Sequence, residues 1–218
     1  MYALAKNEPR VAARFLEQAL LVNLGVHLVA VVATPLLLAP GLPGGGSASD
    51  AERISYLAAH PWLWRLGWLP WQAAALMNVL TSLALWRTSW VPRLPAIAAL
   101  WSTLLAVAPD QAGQILWTTR GLDLAAEAEH SGEPASYRML EDQAYQAVVV
   151  WGGALYLGMA LSWTWCFSAA GTWTKGLTVL SLLTWGLLAI GSIGLLMPAG
   201  WQPTPAVVGV STAGGFAL

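Results

Sequence analysis

The chain has 218 residues, of which 57% are hydrophobic and 10% charged, with a formal net charge of −1. Soluble domains carry about a quarter charged residues, so this chain cannot coat a globule with a wetted surface, and lipid must cover part of it. The near-zero charge leaves no basic field for nucleic acid, and a single cysteine, Cys166, excludes an intrachain disulfide framework and a cysteine-based zinc site.

The composition points to an all-α fold, a polytopic membrane helix bundle forming one domain. Residues 1–18 are polar and carry Lys6, Arg10 and Arg14, and an apolar run follows over residues 19–38. That run makes about 30 Å of helix, enough to span a hydrocarbon core. Basic residues ahead of an apolar run also describe a signal peptide. This run exceeds the usual apolar region of one, so it is read as a retained first span. A glycine-rich connector leads to a short outer helix over residues 50–60, with Ser49 or Asp50 as its N-cap and acids in its first turn.

The second span covers residues 62–86. Its outer end, residues 60–72 (HPWLWRLGWLPWQ), holds Trp62, Trp64, Trp68 and Trp71. Tryptophan is enriched where a helix crosses the headgroup layer, because the ring is apolar while its N–H seeks a polar partner. Pro70 predicts a kink. After a basic turn at residues 87–95, the third span covers 96–119 and runs through Pro109. Residues 120–143 form an outer polar segment whose two ends read as helical extensions around a turn at 131–134. The fourth span covers 145–170 and the fifth 176–197. Residues 206–218 are apolar but too few to span, and read as a truncated sixth helix.

Lys6, Arg10, Arg14, Arg87, Arg93 and Lys175 fall on one side of this arrangement. Arg53, Arg120 and Arg138 fall on the other, among eight acids. The first side is therefore expected to be cytoplasmic, with the N-terminus inside and the acidic loops outside.

Polar side chains inside a bilayer are costly and mark function or interhelical bonding. Counting 1.5 Å per residue from the basic flank of each span puts His27 at about 20 Å, Gln72 at about 22 Å and Asp110 at about 25 Å. The three thus share one layer in the outer half of a core about 30 Å thick. Gln111 and Gln114 lie beside Asp110 on the third span. Asn23 and Asn78 share a second layer and read as an interhelical hydrogen bond. Gln72 and Asn78 are six residues apart, about 240° around the helix, so they cannot both face the first span.

From these residues comes an expected outer-half site for a small amphiphilic or lipid-like ligand. Asp110 and His27 would act as an acid/base pair if the protein is an enzyme. Gln72, Gln111 and Gln114 would form a polar floor, Trp68 and Trp71, with Trp62, an apolar rim, and Arg65 a counter-ion to Asp110. A structural Arg65–Asp110 ion pair is the blander reading. His27 could also carry a proton or ligate a haem or chlorophyll-type pigment, but no second intramembrane histidine supports a bis-histidine haem. An outer cluster of His60, Glu127, Glu129, His130, Glu141 and Asp142 lacks any metal-binding spacing and reads as a solvated acidic face. No resident cofactor or metal is assigned. Two other functions fit the same pattern: an accessory subunit packed against other membrane proteins, pigment- or quinone-associated, and a small transporter with proline-kinked helices around midplane polar groups.

Overall fold

The computed structural model describes residues 8–43, 49–198 and 200–217. Lys6 and most of the glycine-rich connector lie outside the described residues. No strand occurs among those described; the chain is helical almost throughout. In order, the α-helices are α1 (Glu8–Ala33), α2 (Asp50–Ala59), α3 (Pro61–Arg87), α4 (Arg93–Thr118), α5 (Arg120–Ser131), α6 (Ala135–Tyr145), α7 (Gly153–Ala169), α8 (Lys175–Ser192) and α9 (Pro205–Ala217). Two π-helical turns interrupt the long elements, Thr34–Leu38 after α1 and Gln146–Gly152 between α6 and α7.

Local sequence explains the boundaries. Ser49 caps α2 and forms a capping box with Glu52: the Glu52 N–H donates to Ser49 Oγ and the Ser49 N–H to Glu52 Oε2. Pro61 opens α3 at the position where a missing N–H costs nothing. Gly132 closes α5 in the left-handed conformation, φ 75°. The polar segment at 120–143 is made of two helices, α5 and most of α6, joined at residues 132–134.

The long helices form a row: α1 packs on α3, α3 on α4, α4 on α7 and the π turn before it, α7 on α8, and α8 on α9. Helices α2, α5 and α6 form a cap over one end. Beneath it lies a core of Leu38, Ile54, Leu57, Trp64, Trp68, Trp117 and Tyr137. A second core at the opposite end joins Leu16, Leu85, Val91, Cys166 and Phe167.

Three helical stretches are long and apolar enough to cross a membrane: Val11–Gly41, Ala135–Ala169 and Lys175–Leu196. That is fewer than the five spans and truncated sixth expected from sequence. Helices α3 and α4 are long enough but carry polar groups and prolines, including Asn78 on α3 and Pro109, Asp110 and Gln114 on α4. Asn78, Asp110 and Gln114 are all buried inside the fold, while Leu66, Leu69 and Leu76 of α3 and Leu94, Leu105 and Ile115 of α4 are exposed. Asn78, Asp110 and Gln114 are therefore turned inward, although they lower the apolarity of the two helices.

Candidate functional site

The cap is held by ions. Arg53 donates to both carboxylate oxygens of Glu141, Nη2 to Oε2 at 2.7 Å and Nε to Oε1 at 3.4 Å, and Tyr137 Oη donates to Oε1 at 2.8 Å. Arg53 also pairs with Asp50 at 3.0 Å, and Asp50 with Arg138 at 2.6 Å. Burial alone would lower the pKa of the Arg53 guanidinium; the Glu141 carboxylate, with Asp50, outweighs burial and holds it above the usual arginine value. Glu141 is therefore neither a metal ligand nor part of a solvated acidic face. Among the described residues no cluster of three His, Cys, Asp or Glu side chains could hold a metal ion.

The cap fixes the end of α4, and α3 completes that end. The last carbonyls of a helix lack intrahelical donors. Two neighbours on α3 supply them: Trp64 Nε1 donates to the Trp117 carbonyl at 3.3 Å, and Arg65 Nε to the Thr118 carbonyl at 3.1 Å. Trp64, Trp68 and Trp117 interlock beneath, with ring centroids 5.4–6.0 Å apart.

Beside this junction runs an open groove of about 360 Å³, lined by Trp62, Arg65, Leu66, Leu69, Gln72, Thr118 and Thr119. The Arg65 guanidinium lies over the Trp62 ring, 5.4 Å from its centroid. Arg65 is exposed, and among the described residues no carboxylate pairs with it. The expected Arg65–Asp110 ion pair is absent: the guanidinium is turned to the α4 terminus instead, where carbonyls and the tryptophan face attract it.

Asp110 faces the other way, toward α7. It is buried and accepts hydrogen bonds from Gln114 Nε2 at 2.8 Å, Gln111 Nε2 at 3.2 Å and Tyr156 Oη at 3.1 Å. Two glycines permit this approach. A Cβ on Gly152 would lie 3.2 Å from Asp110 Cβ, and one on Gly113 would lie 2.6 Å from Val148 Cγ2.

His27 is placed elsewhere. Its Nδ1 is 2.9 Å from the Asn23 carbonyl, and its ring meets Trp71 edge-on at 6.3 Å. A carbonyl can only accept, so Nδ1 carries the proton. Trp71 Nε1 donates to Thr34 Oγ1 in the first π turn at 2.9 Å. No hydrogen bond or ring contact among the described residues joins His27 to Asp110 or to Gln72. The single site at which His27, Gln72 and Asp110 meet is thus replaced by three separate environments. Gln72 stays with Arg65 in the groove, and Gln111 and Gln114 stay with Asp110. Trp68 does not form a rim, because it is enclosed between Trp64 and Trp117; Trp62 takes that position.

Asn23 Nδ2 donates to Asn78 Oδ1 at 3.0 Å, the interhelical bond expected from their shared depth. Four polar partners were missed: Tyr156, and the set Ser82, Thr103 and Trp163. Tyr156 lies 19 residues before Lys175, about 28 Å by the same count, so the depth method could have matched it to Asp110. Ser82, Thr103 and Trp163 join α3, α4 and α7: Ser82 Oγ is 2.7 Å from Thr103 Oγ1, and Trp163 Nε1 donates to Ser82 Oγ at 3.0 Å. Hydroxyls usually bond their own helix, so sequence gives them little signal. No protein-family model matches the chain, and neither a curated protein nor a solved structure matches it.

Proposed function

We propose that this chain is a multi-pass membrane protein that holds an anionic, lipid-like amphiphile in the groove between α3 and the end of α4. Five helices cross the bilayer in this reading, α1, α3, α4, the joined α6–α7 and α8, with α9 as a partial sixth. The inward polar and outward leucine faces of α3 and α4 support the count, since a lipid-exposed surface needs only its outer side to be apolar. The flank with Arg14, Arg87, Arg93 and Lys175 is cytoplasmic, and the acid-rich cap is outside.

The observation that carries the reading is the groove's gradient of chemistry. Arg65 lies 22 residues from Arg87, about 33 Å along α3 and hence at headgroup height. One guanidinium nitrogen is committed to the Thr118 carbonyl. The rest of the planar cation can face a phosphate or carboxylate headgroup, as arginine does well. Deeper in, Leu66 and Leu69 offer an apolar wall and Gln72 one amide. A chain with a charged head and an apolar tail matches that order of groups.

Two experiments test it. Purified protein examined by native mass spectrometry is expected to retain phosphatidylglycerol in preference to phosphatidylcholine, and Arg65→Gln to lose the preference by about tenfold, the factor that 1.4 kcal/mol supplies. Equal retention of both lipids, unchanged in Arg65→Gln, would remove the proposal. For topology, with Cys166→Ala as background, Glu129→Cys is expected to react with an impermeant thiol reagent from outside intact cells and Thr172→Cys only after lysis.

A further inference from the structure

The groove leaves Asp110 unused, and an ionised Asp110 has no balancing cation among the described residues. It is 5% exposed. The ion pairs among the described residues involve Arg53, Arg120 and Arg138, all in the cap. Among the described residues every donor that reaches Asp110 is neutral: the amides of Gln111 and Gln114 and the phenol of Tyr156. Neutral hydrogen bonds hold an anion in place without cancelling its charge, and an unmatched charge in an apolar interior is strongly disfavoured.

A second observation points to what is missing. Gln114 is 2% exposed, and among the described residues its Oε1 has no hydrogen-bond partner. Its Nε2 is already on Asp110 Oδ1. Turning the amide over would only set its carbonyl against the carboxylate and orphan the nitrogen. The cluster therefore combines one unpartnered oxygen acceptor, Gln114 Oε1, with a carboxyl that carries an unmatched charge when ionised.

Two departures from regular helix chemistry fall beside it. Pro109 has no N–H to give the carbonyl four residues back, that of Leu105. The π turn Gln146–Gly152 brings Gly152 against Asp110, and such turns recur at functional sites.

We propose that Asp110, Gln114 and Tyr156 form an intramembrane seat for one alkali-metal cation. The available donors are a carboxylate, an amide carbonyl and a phenol, all hard oxygen atoms suited to such an ion. One carboxylate balances one positive charge, so a divalent ion would leave an excess charge buried. No histidine or cysteine joins the cluster, which disfavours softer metals. The seat faces α7 and is separate from the Arg65 groove, so each can fail without the other.

Sodium is the probe. The full chain in detergent, titrated with NaCl against N-methylglucamine chloride at fixed ionic strength and pH, is expected to show an unfolding midpoint that rises with Na⁺ and saturates. Radiolabelled Na⁺ should bind the unmodified protein at a single saturable site. Asp110→Asn and Gln114→Leu are expected to abolish both responses, whereas Arg138→Ala keeps them. The radiolabel measurement on the unmodified chain decides the matter even if a variant fails to fold. Absence of saturable Na⁺ binding overturns the proposal. So does a midpoint that responds to pH but not to Na⁺, which would assign the balancing charge to a proton. A Na⁺ response that survives in Asp110→Asn overturns it as well.

Discussion

Two buried carboxylates, Glu141 in the cap and Asp110 among the long helices, are nearly equally hidden, at 4% and 5% exposure, yet are treated in opposite ways. Glu141 has a guanidinium on both oxygens and a tyrosine besides. Asp110 has only amides and a phenol. The first is a finished interaction whose use is to tie α2 to α6. The second is stable in position but not in charge. Equal burial does not make the two acids equivalent; the identity of their partners separates them.

The largest effect expected from this contrast lies in the cap. Glu141→Gln leaves Arg53 buried without its main counter-charge and is expected to cost about 3–5 kcal/mol in chemical denaturation. Replacing the pair together, Arg53→Met with Glu141→Leu, is expected to recover most of that loss, because no uncompensated charge remains. If the double variant is as unstable as the single, the pair is not the unit that matters.

Next is the packing that brings Asp110 to its partners. Gly113→Ala would put a Cβ 2.6 Å from Val148 Cγ2 and 2.9 Å from the Ala144 carbonyl. The overpacking is expected to cost about 1–3 kcal/mol, whereas Gly25→Ala, which meets nothing within 4 Å, is expected to be tolerated. Smaller is the neutral bond between α1 and α3: Asn78→Ala is expected to cost about 0.6 kcal/mol, the usual scale for interhelical hydrogen bonds in membranes. Smallest is the exposed end of the cap network. Arg138→Ala breaks a pair whose side chains are 54% and 39% exposed, with an expected loss of about 0.2–1 kcal/mol that shrinks as salt is added.

Sequence resolved height along the helices better than direction around them. Proline, glycine and capping residues placed the ends of α2, α3 and α4 to within a few positions, whereas α1 begins eleven residues before the expected start at residue 19; a count of rise matched Asn23 with Asn78. The same count set His27, Gln72 and Asp110 level but could not tell which neighbour each one faces. On α3 the answer lies in a finer spacing. Trp62, Arg65, Leu69 and Gln72 recur three or four residues apart and line the groove, while Trp64 and Trp68 share the adjacent buried face. Reading Trp62, Trp64, Trp68 and Trp71 alike as interface markers merged those two stripes. The Arg53–Glu141 pair was hidden for another reason: its members are 88 residues apart, and only the packing of α2 against the cap brings them together.

Melting Asp110→Asn and Glu141→Gln side by side, in buffer free of alkali cations, tests the contrast most directly. Asparagine keeps an oxygen for the surrounding donors and removes the unmatched charge, so Asp110→Asn is expected to unfold at or above the temperature of the unmodified protein. Glu141→Gln is expected to unfold well below it. If Asp110→Asn falls as far as Glu141→Gln, the two acids do the same structural work, and the distinction drawn between them is wrong.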